Sequence, residues 1–453
     1  PGGIGGAPSA KAPTTRWRAL ISMSHFASAW GERMWEFSAG LLLLSMAGGQ
    51  DLQLPSALAL AMLFTQALLG PKIGRIVDRS HPLGTPLAAL AGQQCGIALA
   101  ALFAAWFLTV GRTGAASVGA VCVIGCSCFA KLSALVSKVS VENHWAVALS
   151  AGVRGDLAQL NSQLRRIDLS CKILAPAVSG LLMSVYGPVA AACAVATLNL
   201  LAWPVEAACL RAVFRDDWCR ERLTSPEPNG SPSSPGSPPC TVDGGSWQLY
   251  FSQVGLWPSA LALSMLHLTV LSFGQQMTAY VMILGLDPAV ISLYRGVGEI
   301  FGLSATYAAP WLIRRLEWSC EASAAMFIWL QLLCLLPSVV GASEWARQSL
   351  GAIAASLLLA GGVGVSRLGL WGFDLAVSQM VQERVSPPSA RGAVVGVQKS
   401  LEATFGASGA FLGVLLPAAW EFQWLALGSW FSVCSAALLH TAAFRSARAG
   451  GEK

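Results

Sequence analysis

The chain has 453 residues, of which 54% are hydrophobic and only 11% are charged. Soluble domains carry roughly 25% charged residues, so a water-soluble protein of this composition would lack the polar surface it needs. The net charge of +6 is scattered along the edges of apolar stretches, and no basic patch interleaved with aromatic residues indicates binding to nucleic acid. The composition therefore predicts a multi-pass integral membrane protein embedded in the lipid bilayer.

Apolar stretches long enough to cross a bilayer, about 20 residues each, recur along the chain. We expect an all-α membrane protein with twelve transmembrane helices at Ile21–Met46, Pro55–Val77, Leu87–Val110, Ala116–Val141, Leu169–Tyr186, Val189–Phe214, Trp257–Leu284, Ala289–Leu312, Ala322–Val340, Leu350–Val381, Ala393–Leu416 and Trp424–Phe444.

A segment rich in Pro, Ser and Gly separates the sixth stretch from the seventh and predicts a disordered linker. The predicted domains are a disordered N-terminus, a six-helix half, the linker, a second six-helix half and a short tail: residues 1–20, 21–214, 215–249, 250–445 and 446–453. Arginine and lysine concentrate in alternate loops, so the positive-inside rule places both termini and the linker in the cytosol. This organisation is typical of major facilitator transporters, whose halves rock about a central site.

Two carboxylates lie inside the first stretch. A charge there costs at least ~2.5–3.5 kcal/mol on insertion scales, so each one requires a physical reason. Glu32 and Glu36 are four residues apart and share one helix face. Either a bound cation lies between them, which is the interpretation we favour, or they form a local ion pair with Arg33 near the membrane surface.

Other polar side chains lie on the third and sixth stretches: Gln93, Gln94, Asn199 and Glu206. With Glu32 they could converge into an oxygen cage of the kind that hard cations select, with softer divalent metals tolerated. Taken singly, each is better explained by hydrogen bonding between helices.

The remaining charged and histidine residues leave two interpretations open. Lys131 and Lys138, on the fourth stretch, and Arg295 with Glu299, on the eighth, could form structural ion pairs or take part in proton coupling. His440 is the most deeply placed histidine. The five histidines lie too far apart in sequence for a His-cluster enzyme, and no phosphate loop or nucleophile–base arrangement occurs, so we expect neither an enzyme nor a cofactor.

Several segments together resemble the ferroportins, metal exporters of the major facilitator superfamily. They are Trp30–Ser38, Val139–Trp145, Arg165–Asp168, Ile173–Pro176, Gly369–Leu375, Arg391–Gly392 and Gly396–Ser400. The sequence departs from the family pattern at three positions. Glu32 stands where Asp is usual, Glu36 where animal members carry His, and His144 where Asp usually precedes the Trp.

The resemblance implies export of a divalent metal from the cytosol by alternating access with proton antiport. Fe²⁺ is the first candidate, and Co²⁺, Ni²⁺ and Mn²⁺ are others. It also implies a monomer in the plasma membrane, or in a vacuolar or other organelle membrane. The oxygen cluster of the N-terminal half, Glu32, Glu36, Gln93, Gln94, Asn199 and Glu206, is then a metal site that also takes Ca²⁺.

In the C-terminal half, the resemblance implies a second metal site. The segment Ser272–Gln276 resembles the broken part of the family's seventh helix, and within it Gln275 falls where animal members have a Cys. His440 falls at the position of a His ligand and, with Glu32 and Glu36, would exchange metal for protons. Because hepcidin, the peptide regulator of vertebrate members, engages that Cys, we expect no hepcidin control. Cytosolic gate contacts are expected from Asp78, Arg165, Arg166, Asp168 and Arg391. The alternatives are a major facilitator carrier for an organic solute and a non-transporting membrane receptor.

Overall fold

The computed structural model describes residues 16–46, 53–110, 116–151, 156–224, 245–272, 277, 280–281, 284, 288–416 and 419–451. Within these ranges the chain is almost entirely helical and contains no β-strand. Residues 1–15 and most of the predicted linker, 225–244, lie outside the described residues, as does Gln275.

The helices before the Pro/Ser-rich segment are called the N-terminal helices. They are α1 (Arg16–Met46), α2 (Gln53–Asp78), α3 (Gly84–Val110), α4 (Ala116–Lys138), α5 (Ala146–Ser150), α6 (Asp156–Arg215) and α7 (Asp217–Thr224). The C-terminal helices are α8 (Ser246–Ser252), α9 (Trp257–Met265), α10 (Pro288–Arg315), α11 (Cys320–Cys334), α12 (Leu336–Ala342), α13 (Glu344–Leu350), α14 (Ala352–Arg384), α15 (Arg391–Leu415) and α16 (Phe422–Gly451).

Seven helical segments among the described residues are long and apolar enough to cross a membrane, judged by length and composition. One of them is α6, 60 residues long, which is interrupted at Gly187 with φ 81° and ψ 169°. Glycine adopts this conformation without steric cost. The interruption falls where the sequence predicts the fifth transmembrane helix to end and the sixth to begin.

Two other helices depart from regular geometry. Between α4 and α5 the chain is π-helical over Val139–Trp145. The predicted seventh span is α-helical only to Met265 and becomes extended at Thr269, with ψ 132°. The resemblance predicts a broken helix here, but the break starts a few residues before the predicted segment at Ser272.

Two segments predicted to be disordered, the N-terminus and the linker, are helical at their described ends. Residues 16–20 begin α1, and linker residues 217–224 and 246–249 belong to α7 and α8. The predicted short tail extends α16 to residue 451. The first two cases have a packing reason. Arg18 pairs with Asp156, and in α8 the fully buried Tyr250 donates its hydroxyl to Gln398 Oε1 at 2.9 Å.

The hydrophobic core divides along the chain. Two buried clusters, around Leu43 and around Trp145, draw only on residues before the Pro/Ser-rich segment. A third, around Phe327 and Phe373, is built mainly from the C-terminal helices. Large apolar side chains such as Phe64 remain exposed on the outer surface, as expected of helices that face lipid.

One end of the bundle gathers Arg18, Arg222, Arg314 and Arg391, among others, and is called the arginine-rich end. It holds the end of α2, the start of α6, the end of α10 and the start of α15. The N-terminal and C-terminal helices meet there, since Asp78 of α2 contacts Gly392 of α15.

Candidate metal site and gate

A cavity of about 310 Å³ lies between the N-terminal and C-terminal helices. Its wall is unusually rich in charge for the interior of a membrane protein. The charged lining residues are Glu32, Arg33, Lys131, Lys138, Glu142, Arg165, Asp168, Lys399 and Glu402. Ionisable groups at such depth are expensive, so their concentration in one cavity indicates a functional site.

Glu32 of α1 is buried and has two cationic partners on α4. Lys131 Nζ lies 2.9 Å from Glu32 Oε1, and Lys138 Nζ lies 2.9 Å from Glu32 Oε2. The two lysines are seven residues apart, which is two helical turns, so they project from the same face of α4. Each carboxylate oxygen of Glu32 is therefore neutralised by an ammonium group of the protein itself.

Glu36 lies one turn further along α1 and shares one of these partners. Lys131 Nζ is 3.1 Å from Glu36 Oε1, and Arg33 Nη1 is 2.6 Å from Glu36 Oε2. Arg33 also donates to Asp168 Oδ1 at 2.8 Å. The local pair with Arg33 therefore forms at Glu36, whereas Glu32 faces the lysines, which act as ion-pair partners in this structure.

A second group of predicted ligands is packed behind α1. Gln94 Nε2 donates to Glu206 Oε1 at 2.5 Å, and Asn199 Nδ2 donates to the carbonyl of Val195 at 2.8 Å. All three polar side chains are fully buried. A Cβ on Gly31 would lie 2.2 Å from Asn199 Oδ1, so the absence of a side chain at Gly31 lets Asn199 reach α1.

Three oxygens of this group receive no hydrogen bond: Gln94 Oε1, Asn199 Oδ1 and Glu206 Oε2. A buried acceptor without a donor costs about 1–3 kcal/mol, so such oxygens usually have a water, a proton or a cation as partner. Two amide oxygens and one carboxylate are a donor set that a hard cation prefers. The group fits Ca²⁺ chemically, although Ca²⁺ takes further oxygen ligands as well.

The six predicted ligands of the N-terminal half do not gather into one cage. Gln93 turns away from its neighbour Gln94 and bonds the hydroxyl of Ser28 at 3.0 Å. Glu32 lines the central cavity, Glu36 is joined to it only through their shared partner Lys131, and Gln94, Asn199 and Glu206 form the buried group. Among the described residues, no three His, Cys, Asp or Glu side chains are placed so that they could hold a metal ion.

The second predicted site is only partly described, because Gln275 lies outside the described residues. His440 is fully buried in α16 and does not line the central cavity. Its Nδ1 lies 2.9 Å from Ser259 Oγ, and its Nε2 lies 3.1 Å from the carbonyl of Glu321. Both ring nitrogens thus have protein partners, which is the geometry of a contact between helices.

Charged residues of the C-terminal helices form pairs that spacing alone does not reveal. Glu299 lies 3.6 Å from Lys172 of α6, a pair that joins the two helix sets and replaces the expected pairing with Arg295. Lys399 and Glu402, 2.7 Å apart, line the cavity from α15. Lys399 and Glu402 are not among the predicted site residues, although two opposite charges three residues apart inside an apolar stretch were a usable signal.

The predicted gate residues do connect the two helix sets near the arginine-rich end. Asp78 Oδ1 and Oδ2 accept from the backbone N–H groups of Gly392 and Ala393 at 2.6 and 2.7 Å. These are the first-turn donors of α15, where a carboxylate is favoured by the helix dipole. Arg391 Nη1 reaches the carbonyl of Asn143 at 3.5 Å.

Arg165 and Asp168 lie deeper in the same interface. Arg165 forms a salt bridge with Asp374 of α14 and lies 3.8 Å from Asp168. Asp374 lies in the segment Gly369–Leu375 but is not among the predicted gate residues. Arg166 points elsewhere: its guanidinium lies 4.5 Å from the ring centre of Tyr307, at the side of the bundle. It does cross between the helix sets, but at the lateral surface and not at the central gate.

Four glycines let the backbones of α2 and α15 touch. A Cβ on Gly74 would lie 1.9 Å from the carbonyl oxygen of Gly392, and one on Gly396 would lie 2.3 Å from the carbonyl oxygen of Gly70. The spacing of four residues on each helix is the small-residue pattern that permits close helix packing in membranes. Any larger residue would hold the two helices apart.

A family model described as Ferroportin1 (FPN1) matches residues 15–217 and 240–433, which is most of the chain. The chain belongs to the ferroportin family. A relative at 35% identity is Solute carrier family 40 member 1 of Oryza sativa subsp. japonica, aligned over 93% of this chain and 89% of the relative. Ferroportin of Homo sapiens is 25% identical over 95% and 90% of the two chains.

Ferroportins are transporters and not enzymes, and this chain is accordingly an integral membrane protein of a transporter family. Solved structures agree on the fold. A bacterial homologue of the iron transporter ferroportin, in an outward-facing state with soaked iron, superposes with a TM-score of 0.79 at 23% identity, over 94% of this chain and 98% of that one. The major facilitator transporter FucP superposes at 0.61 with 11% identity, over 94% and 98%. The ferroportin-family chain therefore has a major facilitator fold.

Proposed function

We propose that this chain exports divalent transition metal ions from the cytosol, Fe²⁺ first and Co²⁺, Ni²⁺ or Mn²⁺ as further substrates, by alternating access with proton antiport. The observation that carries the proposal is Glu32, whose two carboxylate oxygens are bound by Lys131 and Lys138 inside the central cavity. A metal ion and an ammonium group compete for the same oxygens. The two lysines therefore compensate the negative charge of Glu32 until a cation of higher charge displaces them.

We infer that the helices form twelve spans in two six-helix halves, 21–214 and 250–445. The break at Gly187 supports counting α6 as two spans, and the separate hydrophobic cores support two units. Helix α1 begins, and helix α16 ends, at the arginine-rich end. By the positive-inside rule that end is cytosolic.

The conformation is that of a transporter closed toward the cytosol. The TM-score of 0.79 is against a bacterial homologue in an outward-facing state, and it falls to 0.65 against a bacterial homologue in an inward-facing state. The contacts of Asp78 with α15, and of Arg165 with Asp374, support the same conclusion. These contacts break when the halves rock inward.

Proton exchange follows from the charges. When a divalent ion binds Glu32 and Glu36, Lys131 and Lys138 lose their anionic partners while the cavity gains two positive charges. Release of lysine protons to water compensates for that gain. The buried group of Gln94, Asn199 and Glu206 is the proposed place for Ca²⁺, which would neutralise Glu206 and tie α3 to α6 beside α1.

The test is uptake of the four transition metals into proteoliposomes, with internal pH recorded. Metal flux with opposite proton movement is expected for the wild type, and loss of both for Glu32→Gln. Binding without flux would instead identify a receptor, and flux of an organic solute that metal does not inhibit would identify an organic-solute carrier. Metal flux at constant internal pH would overturn antiport alone.

A further inference from the structure

A second cavity lies on the lateral surface, away from the charged central cavity. Its volume is about 500 Å³, and it opens between α6 and α10 near the arginine-rich end. The residues that matter in its lining are Gln159, Arg166, Tyr307, Trp311, Arg314 and Arg315. Three arginines line it and no acidic residue does, in contrast with the nearly balanced central cavity.

The three arginines of this cavity form no ion pair with another described residue. Arg166 lies over the ring of Tyr307, and Arg314 Nη1 donates to the neutral amide oxygen of Gln159 at 2.6 Å. Within the described ranges of the chain, no salt bridge reaches Arg166, Arg314 or Arg315. A guanidinium presents five donors in a planar fork that matches phosphate, and these three converge without a carboxylate to satisfy them.

The position of the cavity indicates the source of the anion. Tyr307 and Trp311 are 63% and 54% exposed on the outer face of α10. Aromatic side chains at this level are typical of the boundary between hydrocarbon and headgroups. Apolar neighbours such as Ile300, 63% exposed, continue the lipid-facing surface toward the bundle centre. A ligand in this cavity therefore lies beside the acyl chains of the bilayer and has the arginines at its polar end.

We propose that this cavity binds the headgroup of an anionic phospholipid from the leaflet at the arginine-rich end. Arg166, Arg314 and Arg315 hold its phosphate. Basic pockets between transmembrane helices on the cytosolic side are suited to such headgroups. Because Arg166 belongs to α6 and the other two to α10, a bound headgroup joins the two helix sets. It therefore favours the state in which this end is closed. The binding itself does not depend on the proposed metal export.

The experiment uses the full chain in detergent, with native mass spectrometry to measure retention of phosphatidylglycerol against phosphatidylcholine. The wild type should retain phosphatidylglycerol preferentially. The triple variant Arg166→Gln, Arg314→Gln, Arg315→Gln should lose the preference, by about fivefold per arginine if each contributes ~1 kcal/mol. The matched control changes three exposed arginines at the same end, in the variant Arg211→Gln, Arg215→Gln, Arg220→Gln. This variant should retain the preference for phosphatidylglycerol.

Two further arms make the result decisive. Inorganic phosphate, added in place of lipid, should neither bind measurably nor displace phosphatidylglycerol; binding as tight as that of the lipid would identify a free-anion site and overturn the proposal. Equal loss in the control variant would also overturn it, because general surface charge would then explain retention. If the triple variant does not fold, the single variant Arg315→Gln gives the same comparison, and an unchanged preference in it would contradict the proposal.

Discussion

Lys138 and Glu32 lie 2.9 Å apart, although they belong to different helices and are 106 residues apart in sequence. Lys131 binds the other oxygen of the same carboxylate at the same distance. The positive charge that the neighbouring carboxylates Glu32 and Glu36 require is thus supplied by lysines of the chain itself. This makes the affinity for metal a competition between an ion in solution and two tethered ammonium groups.

Removing one competitor should tighten metal binding. Lys138→Met keeps the length of the side chain but removes its charge, and a hydrogen bond to a charged group contributes about 1.5–3 kcal/mol. We expect roughly tenfold tighter binding of Co²⁺ by isothermal titration calorimetry, together with slower release. The control is Lys172→Met, because Lys172 pairs with Glu299 outside this carboxylate pair. Unchanged or weaker binding in Lys138→Met would contradict the competition.

Removing the carboxylate should have the opposite effect. Glu32→Gln keeps the shape and a hydrogen-bonding oxygen but loses the charge, so divalent binding should weaken severalfold or more and uptake should fall. The measurement is Co²⁺ titration of the purified variant, followed by uptake in proteoliposomes. Wild-type binding and transport in this variant would show that the carboxylate serves only its ion pairs.

Gly74→Ala should impair closure of the arginine-rich end. The added Cβ would meet the backbone of Gly392 at 1.9 Å, and backbone cannot move aside as a flexible side chain can. We expect a population shifted to the inward-open state and a loss of most transport. Accessibility of single cysteines to a thiol reagent from each side reports the shift. Gly40→Ala is the control, since a Cβ there meets nothing within 4 Å; equal effects of the two changes would refute the packing argument.

His440→Gln distinguishes a proton carrier from a contact between helices. His440 is predicted from the sequence to take part in metal and proton exchange, whereas its two hydrogen bonds favour a structural role. Gln can keep one of the two bonds but cannot titrate near neutral pH. We expect a lower melting temperature and an unchanged pH profile of transport between about pH 6 and 8, around the reference pKa of histidine. A flattened pH profile would restore the assignment to proton exchange.

Insensitivity to hepcidin stays a prediction from the residue at position 275. Gln275 has no thiol, and the resemblance places the peptide-binding Cys there. Surface plasmon resonance on the purified chain should detect no binding, and Gln275→Cys is the matched test of whether a thiol creates it. Ordinary affinity in the wild type would show that the residues were matched wrongly.

The sequence predicted features that depend on local composition. The helical interruption at Gly187 lies between the predicted ends Tyr186 and Val189. Such features follow from the chain's own turns and motifs. They can be predicted without knowing which distant side chains they contact.

What the sequence did not predict depends on which side chains meet across the bundle. Gln93 and Gln94 are adjacent, yet one faces Ser28 and the other Glu206, because successive helix positions differ by about 100°. Spacing could pair Arg295 with Glu299 on one helix but could not show that Lys172 approaches from another. The separation of Gln93 from Gln94, Asn199 and Glu206 follows from this rotation.

The π-helical segment Val139–Trp145 has a consequence for changes in chain length. A π-turn holds one residue more than an α-turn, so deletion of one residue, for example Ser140, would let a regular α-helix run through while α4 and α5 keep their facing. A deletion elsewhere in α4 would instead rotate Lys131 away from Glu32. The π-turn, however, is what directs the carbonyls of Glu142 and Asn143 to Gln382 and Arg391 across the interface. Shortening it by one residue should therefore give a chain that still folds and inserts into the membrane but whose arginine-rich end no longer closes.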